Sequence, residues 1–381
     1  SLGRLPAATV TRLREVVERE WGAGLVRTWE QWIDLPARVG DLIGEHLVGA
    51  QPGEVLVSDS TTVNLYKLAT AACDARPGRT VIVTDDDNFA TDRYVLAGLA
   101  QARGMTVRTL TTDRVHPPTT AELASVLGPE VALVSFSHVA FASGALFDLP
   151  GITAAAHDVG ALTLWDLCHA VGSVPIDLGR AGADLAVGCT YKYLNGGPGA
   201  PAFLYVRSDL QAELQQPIWG WFGQRDQFAM GPAYDADPSI RRFLTGTAGV
   251  LGLVAVEEGV RGLAEAGIDR LRAKGMLLTE LARTLTEEWL APYGFGLASP
   301  ADPAARGSHL TLRHPEAFAI SRALVAEAGV VPDFRTPDRL RIGPAPLYTR
   351  FTEVWDAFDR LRRLVESGAY RAYADGNRRV T

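Results

Sequence analysis

From about residue 45 to 210 the chain alternates short apolar, β-branched runs with longer segments of helical spacing. The runs cover 54–58, 79–84, 131–136, 162–167, 185–189 and 203–206. Helices are predicted between them at 62–75, 92–103, 121–127 and 152–159. The third opens on Thr119 with Glu122 three residues on, the pattern of a capping box. Continuous apolar strands separated by helices of this length predict a mainly parallel sheet covered on both faces. Residues 215–249 are rich in Gly, Trp and Phe without a clear period and read as loops. A long helical stretch is predicted over 254–290, with Ile268, Leu271, Leu278, Leu281, Leu285 and Trp289 on one face. Short strands near 309–312 and 340–342 and helices near 316–328 and 353–366 complete a smaller α+β unit. The expected division is an N-terminal segment 1–44 packing with the small unit and the active site, a large domain 45–253, and a small domain 254–381.

Composition narrows the function. The 381 residues are 47% hydrophobic and 21% charged, with net charge −7. That is ordinary globular usage, and no basic block offers a face for nucleic acid. Three cysteines, Cys73, Cys168 and Cys189, form no C-x-x-C pair, which argues against a disulfide scaffold or a structural zinc site, so no metal is expected. No apolar run is long enough to span a bilayer. The chain opens at Ser1 without a leader pattern, so a soluble, cytoplasmic protein with no membrane partner is expected.

Three features carry chemistry. In G-C-T-Y-K-Y-L-N-G-G-P-G (188–199) an apolar strand runs into Lys192 and then a glycine-rich turn. A lysine at a strand end in a dry cleft can form a Schiff base, although a lone lysine is more often a surface residue. In L-W-D-L-C-H-A (164–170) a strand ends in Asp166 with His169 three residues on. Taken alone, Asp166 reads as a helix cap. In S-D-S-T-T-V-N-L (58–65) hydroxyl residues sit where a strand hands over to a helix, a place for either an N-cap or a phosphate. Together they meet three needs of pyridoxal phosphate: a lysine for its aldehyde, a carboxylate for its ring nitrogen and a phosphate cup.

The same blocks, with S-L-G-R-L-P (1–6), F-x-x-D (89–92), S-H-V-x-F-x-S-G (137–144), W-D-L-x-H-x-x-G-x-V-P-x-D-L (165–178), G-W-F-G (220–223) and R-x-x-P-x-P-L-Y (341–348), resemble the kynureninase family over nearly the whole chain. The resemblance implies a fold-type I, aspartate-aminotransferase-like α/β enzyme. Its large domain would hold a mainly parallel seven-stranded sheet flanked by helices, with a smaller α+β C-terminal domain. The implied reaction is pyridoxal 5′-phosphate-dependent cleavage of L-kynurenine, or a ring-substituted kynurenine, to anthranilate and L-alanine, in a homodimer with shared sites. It makes Lys192 the Schiff-base lysine, Asp166 the partner of the pyridine nitrogen and Phe89 the residue stacked on the ring. Thr61, Thr62 and Tyr191 would hold the phosphate, with Trp221 and Thr247 reaching across from the second subunit toward cofactor and substrate. Asp92, Ser137 and His169 would line the same pocket, and Arg341 would grip the substrate carboxylate. Tyr191 would also shuttle protons, and Ser1 would hydrogen-bond the ketone.

Two positions depart from the pattern or discriminate within it. Gln224 stands where the family usually has His after G-W-F-G, and Gln carries no titratable proton. Thr247 stands where the animal enzymes carry Asn, the bacterial, kynurenine-preferring pattern. The alternatives are a cysteine desulfurase or selenocysteine lyase, an aminotransferase, or a non-catalytic pyridoxal-phosphate protein. The first needs a nucleophilic cysteine beyond the lysine, and none follows Cys189.

Overall fold

A computed structural model describes residues 2–374. Seven strands form the large sheet: β1 (Val55–Val57), β2 (Val81–Asp85), β3 (Thr106–Leu110), β4 (Val131–Ser137), β5 (Leu162–Asp166), β6 (Leu185–Gly188) and β7 (Phe203–Val206). Their order is β1-β7-β6-β5-β4-β2-β3. The five strands from β3 to β6 pair in parallel, and β7 pairs antiparallel with both β6 and β1. Strands β1, β2 and β4 to β7 are buried along their whole length, which is why they read as unbroken apolar runs. Strand β3 escaped the sequence pattern. It is a sheet edge whose residues, T-V-R-T-L, are exposed or half-buried up to the buried Leu110.

The capping box is present, with Thr119 and Glu122 each bonding back to the other's backbone at the start of helix Thr120–Val126. The single long helix expected over 254–290 is instead two, Val250–Ala266 and Ile268–Leu285, because Gly267 takes φ +81°, which a helix cannot continue through. The first of these crosses the expected boundary at residue 253, and Leu253, Val256, Val260 and Leu263 belong to the core that also holds β1, β4 and β5 side chains. Helices Ala7–Glu15 and Leu35–Ile43 pack against it.

A second sheet, β8 (Gly296–Leu297), β9 (Leu310–Arg313), β10 (Asp333–Arg335) and β11 (Arg339–Ile342), runs in the order β10-β11-β9-β8, all antiparallel. Its apolar face shares a separate core with helices Ile268–Leu285, Ala317–Ala323 and Phe351–Ser367. The C-terminal ends of β2, β4, β5 and β6 face this smaller unit, the side of an open α/β sheet where ligands bind.

Candidate active site

Strand β6 ends at Gly188, and the chain turns through Thr190, whose hydroxyl donates to the Pro201 carbonyl at 2.6 Å. That turn presents Lys192, whose Nζ lies 3.2 Å from His169 Nε2. The Phe89 and Tyr191 rings lie 6.0 and 5.9 Å from the same nitrogen. Burial works to lower the Lys192 pKa, but the facing Cys189, Cys168, Asp166 and Tyr191 outweigh it and hold the ammonium above its ordinary value.

Strand β5 ends at Asp166, which is buried and accepts the Cys168 N–H at 2.6 Å. Asp92, in the first turn of helix Ala90–Arg103, is buried beside it. Burial, then the Asp166 charge and hydrogen bond, push the Asp92 carboxyl well above the carboxylate range, so Asp92 holds a proton. Asp92 Oδ2 has no well-formed hydrogen bond. Ser137 closes β4 and donates to Asn88 Oδ1 at 2.8 Å, and the same oxygen accepts the Phe89 N–H at 2.8 Å. Ser137 thus fixes the turn that carries Phe89, a half-exposed ring set edge-on to Phe141 at 5.4 Å.

Helix Thr61–Asp74 starts behind a Ser60 cap, with Thr61 and Thr62 in its first turn. Thr61 Oγ1 lies 3.9 Å from Cys168 Sγ, which places this helix start beside the end of β5. Asp59 is held at φ +50° by the buried Lys67, which donates to Asp59 Oδ2 at 2.8 Å and to the Phe243 carbonyl at 2.7 Å. Ser58 Oγ is buried without a partner.

The far wall comes from the small unit. Arg341, on β11 and buried, donates through Nη1 to the Phe141 carbonyl at 2.7 Å and to His169 Nε2 at 3.2 Å, and through Nη2 to Asp333. His169 Nε2 therefore accepts from two cationic side chains. Burial, Lys192 and Arg341 hold its pKa well below the ordinary value, so the ring is neutral. A cavity of about 470 Å³ is lined by Lys192, His169, Arg341, Tyr193, His309 and Asp333, with Leu2 and Gly3 at its mouth. The Gly3 N–H donates to the Tyr191 carbonyl at 2.8 Å, and a Cβ at Gly3 would lie 2.2 Å from the Lys192 carbonyl. Only glycine lets the strap pass there.

The fold therefore gathers Lys192, Tyr191, Phe89, Asp92, Asp166, Ser137, His169 and Arg341 around the strand ends, with Thr61 and Thr62 nearby. Trp221 and Thr247 do not line the Lys192 cavity of their own chain. Trp221 packs edge-on against Phe222 at 4.5 Å, and Thr247 borders a separate cavity of about 340 Å³ with Ser58, Asp59 and Gly199. Gln224 accepts the Asp235 N–H at 2.7 Å, so its amide oxygen serves a local turn. Ser1 lies outside the described residues. Sequence reasoning did not single out Tyr193, which adjoins Lys192 in the same motif, or His309 and Asp333, which reach the cavity from segments with no strand-to-lysine signal.

These residues fit pyridoxal phosphate. Two facing carboxyls, one with an oxygen left unpaired, suit a protonated pyridine nitrogen, and a helix start with the unpaired Ser58 hydroxyl suits a phosphate. Residues 271–361 match the family described as Kynureninase C-terminal domain. A kynureninase of Pseudomonas fluorescens is 42% identical over 96% of this chain and 88% of its own length. A kynureninase of Burkholderia pseudomallei (strain 1106a) is 42% identical over 98% of this chain and 89% of its own. Among solved structures, a cysteine desulfurase from Thermococcus onnurineus superposes with TM-score 0.83 at 17% identity, covering 96% of this chain and 93% of that one. A cystine C–S lyase in complex with cysteine persulfide gives TM-score 0.81 at 17% identity, with 95% of each chain covered.

Proposed function

Since the chain belongs to the kynureninase family, we propose that it is a pyridoxal-phosphate-dependent hydrolase that splits L-kynurenine into anthranilate and L-alanine. The observation that carries this reading is the convergence of Lys192, neutral His169 and Arg341 on one cavity, beside the Asp92–Asp166 pair. The test is release of fluorescent anthranilate from L-kynurenine. The desulfurase alternative needs an accessible cysteine on the small unit, whereas all three cysteines are buried and none follows residue 189.

Bound pyridoxal phosphate supplies an aldehyde that captures amino groups and a protonated ring that withdraws electrons from the substrate α-carbon. Asp166, beside the protonated Asp92, would keep that ring nitrogen protonated. Phe89 covers one face of the ring, and Thr61, Thr62 and Tyr191 take the phosphate. Lys192 Nζ would hold the aldehyde and, when free, take the α-proton, and His169 Nε2 at 3.2 Å keeps that nitrogen oriented. Burial and the neighbouring Cys189 push the Tyr191 phenol up to about 12, so its O–H is retained at neutral pH and can protonate the departing carbon. Arg341 attracts the α-carboxylate.

The assembly we infer is an isologous homodimer. Trp219, Trp221, Phe228 and Met230 are all exposed on one loop, and Trp221 and Thr247 serve no cavity wall around their own Lys192. Mixing inactive Lys192→Ala chains with weakened Trp221→Ala chains in equal amounts should then restore about a quarter of wild-type activity, because about half the dimers are hybrids and each holds one site of two with both residues. No recovery after proven subunit exchange would assign Trp221 to its own chain. We place the enzyme in the cytoplasm, where free thiols stay reduced. Among the described residues no helix is long and apolar enough to cross a membrane.

For the ring, we expect L-kynurenine to be preferred over 3-hydroxykynurenine by about tenfold in kcat/KM, about 1.4 kcal/mol. Thr247 is short, and an unpaired 3-hydroxyl in a desolvated pocket costs about 1–3 kcal/mol. Gln224, the residue most able to compensate, has its amide oxygen engaged by Asp235. Parallel kinetics on both substrates check this, and equal values would mean another group reads the ring.

A further inference from the structure

His309 immediately precedes β9 and is 2% exposed, in the wall of the cavity that also holds Lys192, His169 and Arg341. Neither of its ring nitrogens makes a well-formed hydrogen bond, and among the described residues no other histidine has both nitrogens buried and unpaired. Buried polar groups are almost always paired, and leaving one desolvated is costly, so an imidazole kept in this state calls for a ligand group. Gly144, at φ +78°, packs directly against this residue: a Cβ there would lie 2.8 Å from the His309 carbonyl and 3.2 Å from its Nε2. The nearest ring, His169 at 5.6 Å, already spends Nε2 on Lys192 and Arg341.

The surroundings choose the ligand chemistry. Arg341 and Lys192 make this end of the cavity cationic, which repels an ammonium and attracts an anion. Burial first, then Arg341 and Lys192, depress the His309 pKa to about 3, while Asp333 and the nearby Ala140 carbonyl pull the other way; the ring is a neutral N–H donor. Three of the five Arg341 N–H donors are engaged by the Phe141 carbonyl, His169 and Asp333, so a second donor beside it would strengthen the grip on a carboxylate. We propose that His309 is a substrate-binding residue whose ring N–H donates to the α-carboxylate that Arg341 attracts, completing a two-residue carboxylate clamp. This inference rests on the kynurenine-cleaving reading and specifies how that substrate is held.

The holoenzyme tests it with two probes bound at equilibrium. Desamino-kynurenine keeps the ketone and carboxylate, and kynurenamine keeps the ketone and amine but lacks the carboxylate. His309→Leu should weaken desamino-kynurenine about tenfold and kynurenamine less than twofold. His309→Gln, which keeps a donor, should retain most of the affinity for both, and it carries the test if the Leu variant does not fold. In turnover the loss should fall on KM rather than kcat. Equal weakening of both probes, or unchanged binding of desamino-kynurenine, would overturn the proposal. A wild-type chain that binds desamino-kynurenine but releases no anthranilate from L-kynurenine would strike the activity reading and leave the clamp standing.

Discussion

Replacing Lys192 by Ala should leave a folded protein without measurable turnover, a loss of at least about a thousand-fold, since one nitrogen both captures the cofactor and moves the α-proton. Nothing in the core depends on this side chain. It projects from a turn after β6 into the cavity, where its Nζ lies 3.2 Å from His169 Nε2. The visible absorption band of the lysine-bound cofactor should vanish, and borohydride should no longer fix cofactor mass to the peptide that carries residue 192. Thermal melting should stay close to wild type. A Lys192→Ala chain that still turned over substrate would end the assignment of this lysine.

Asp166→Ala should come next in severity. The carboxylate is buried at the end of β5, and its neighbour Asp92 is driven to bind a proton by burial and by the Asp166 charge. A charge-assisted hydrogen bond in such a site contributes about 1.5–3 kcal/mol, or about 10–100-fold in rate, before the weakened electron withdrawal is added. Asp166→Asn should fall nearly as far, because an amide keeps the shape but cannot hold the ring nitrogen protonated. The linkage has a sign. Removing the Asp166 charge takes away one cause of the raised Asp92 carboxyl, while burial, the first cause, still holds it above the ordinary value, so Asp92 ionises more readily than in the wild type and can stand in for part of the lost charge. Asp166→Ala,Asp92→Ala should therefore lose more than either single change. A single Asp166→Ala variant within twofold of wild type would refute the role.

Much of this was legible in the sequence because local pattern and chemistry coincide at the sheet. Strands β4, β5 and β6 are buried throughout, so each reads as an apolar run, and the groups at their ends read as Ser137, Asp166 and Lys192. The edge strand β3 lacked that signal because all its residues but Leu110 are exposed or half-buried. The break at Gly267 was hidden by apolar spacing that continues on both sides of it. The far wall was hidden for a different reason. His309 and Asp333 come from a small antiparallel sheet more than a hundred residues beyond Lys192, and only packing of that sheet over the strand ends brings them to the cavity. An unpaired buried imidazole has no sequence signature. It is visible only once its missing partners can be counted.

The most direct test of the central claim is anthranilate fluorescence after L-kynurenine is added to the purified holoenzyme, with L-alanine quantified in the same sample. The account predicts equimolar anthranilate and L-alanine, produced catalytically and abolished by Lys192→Ala. Consumption of L-kynurenine with formation of a keto acid and no anthranilate, or no consumption at all by cofactor-loaded protein, would contradict it.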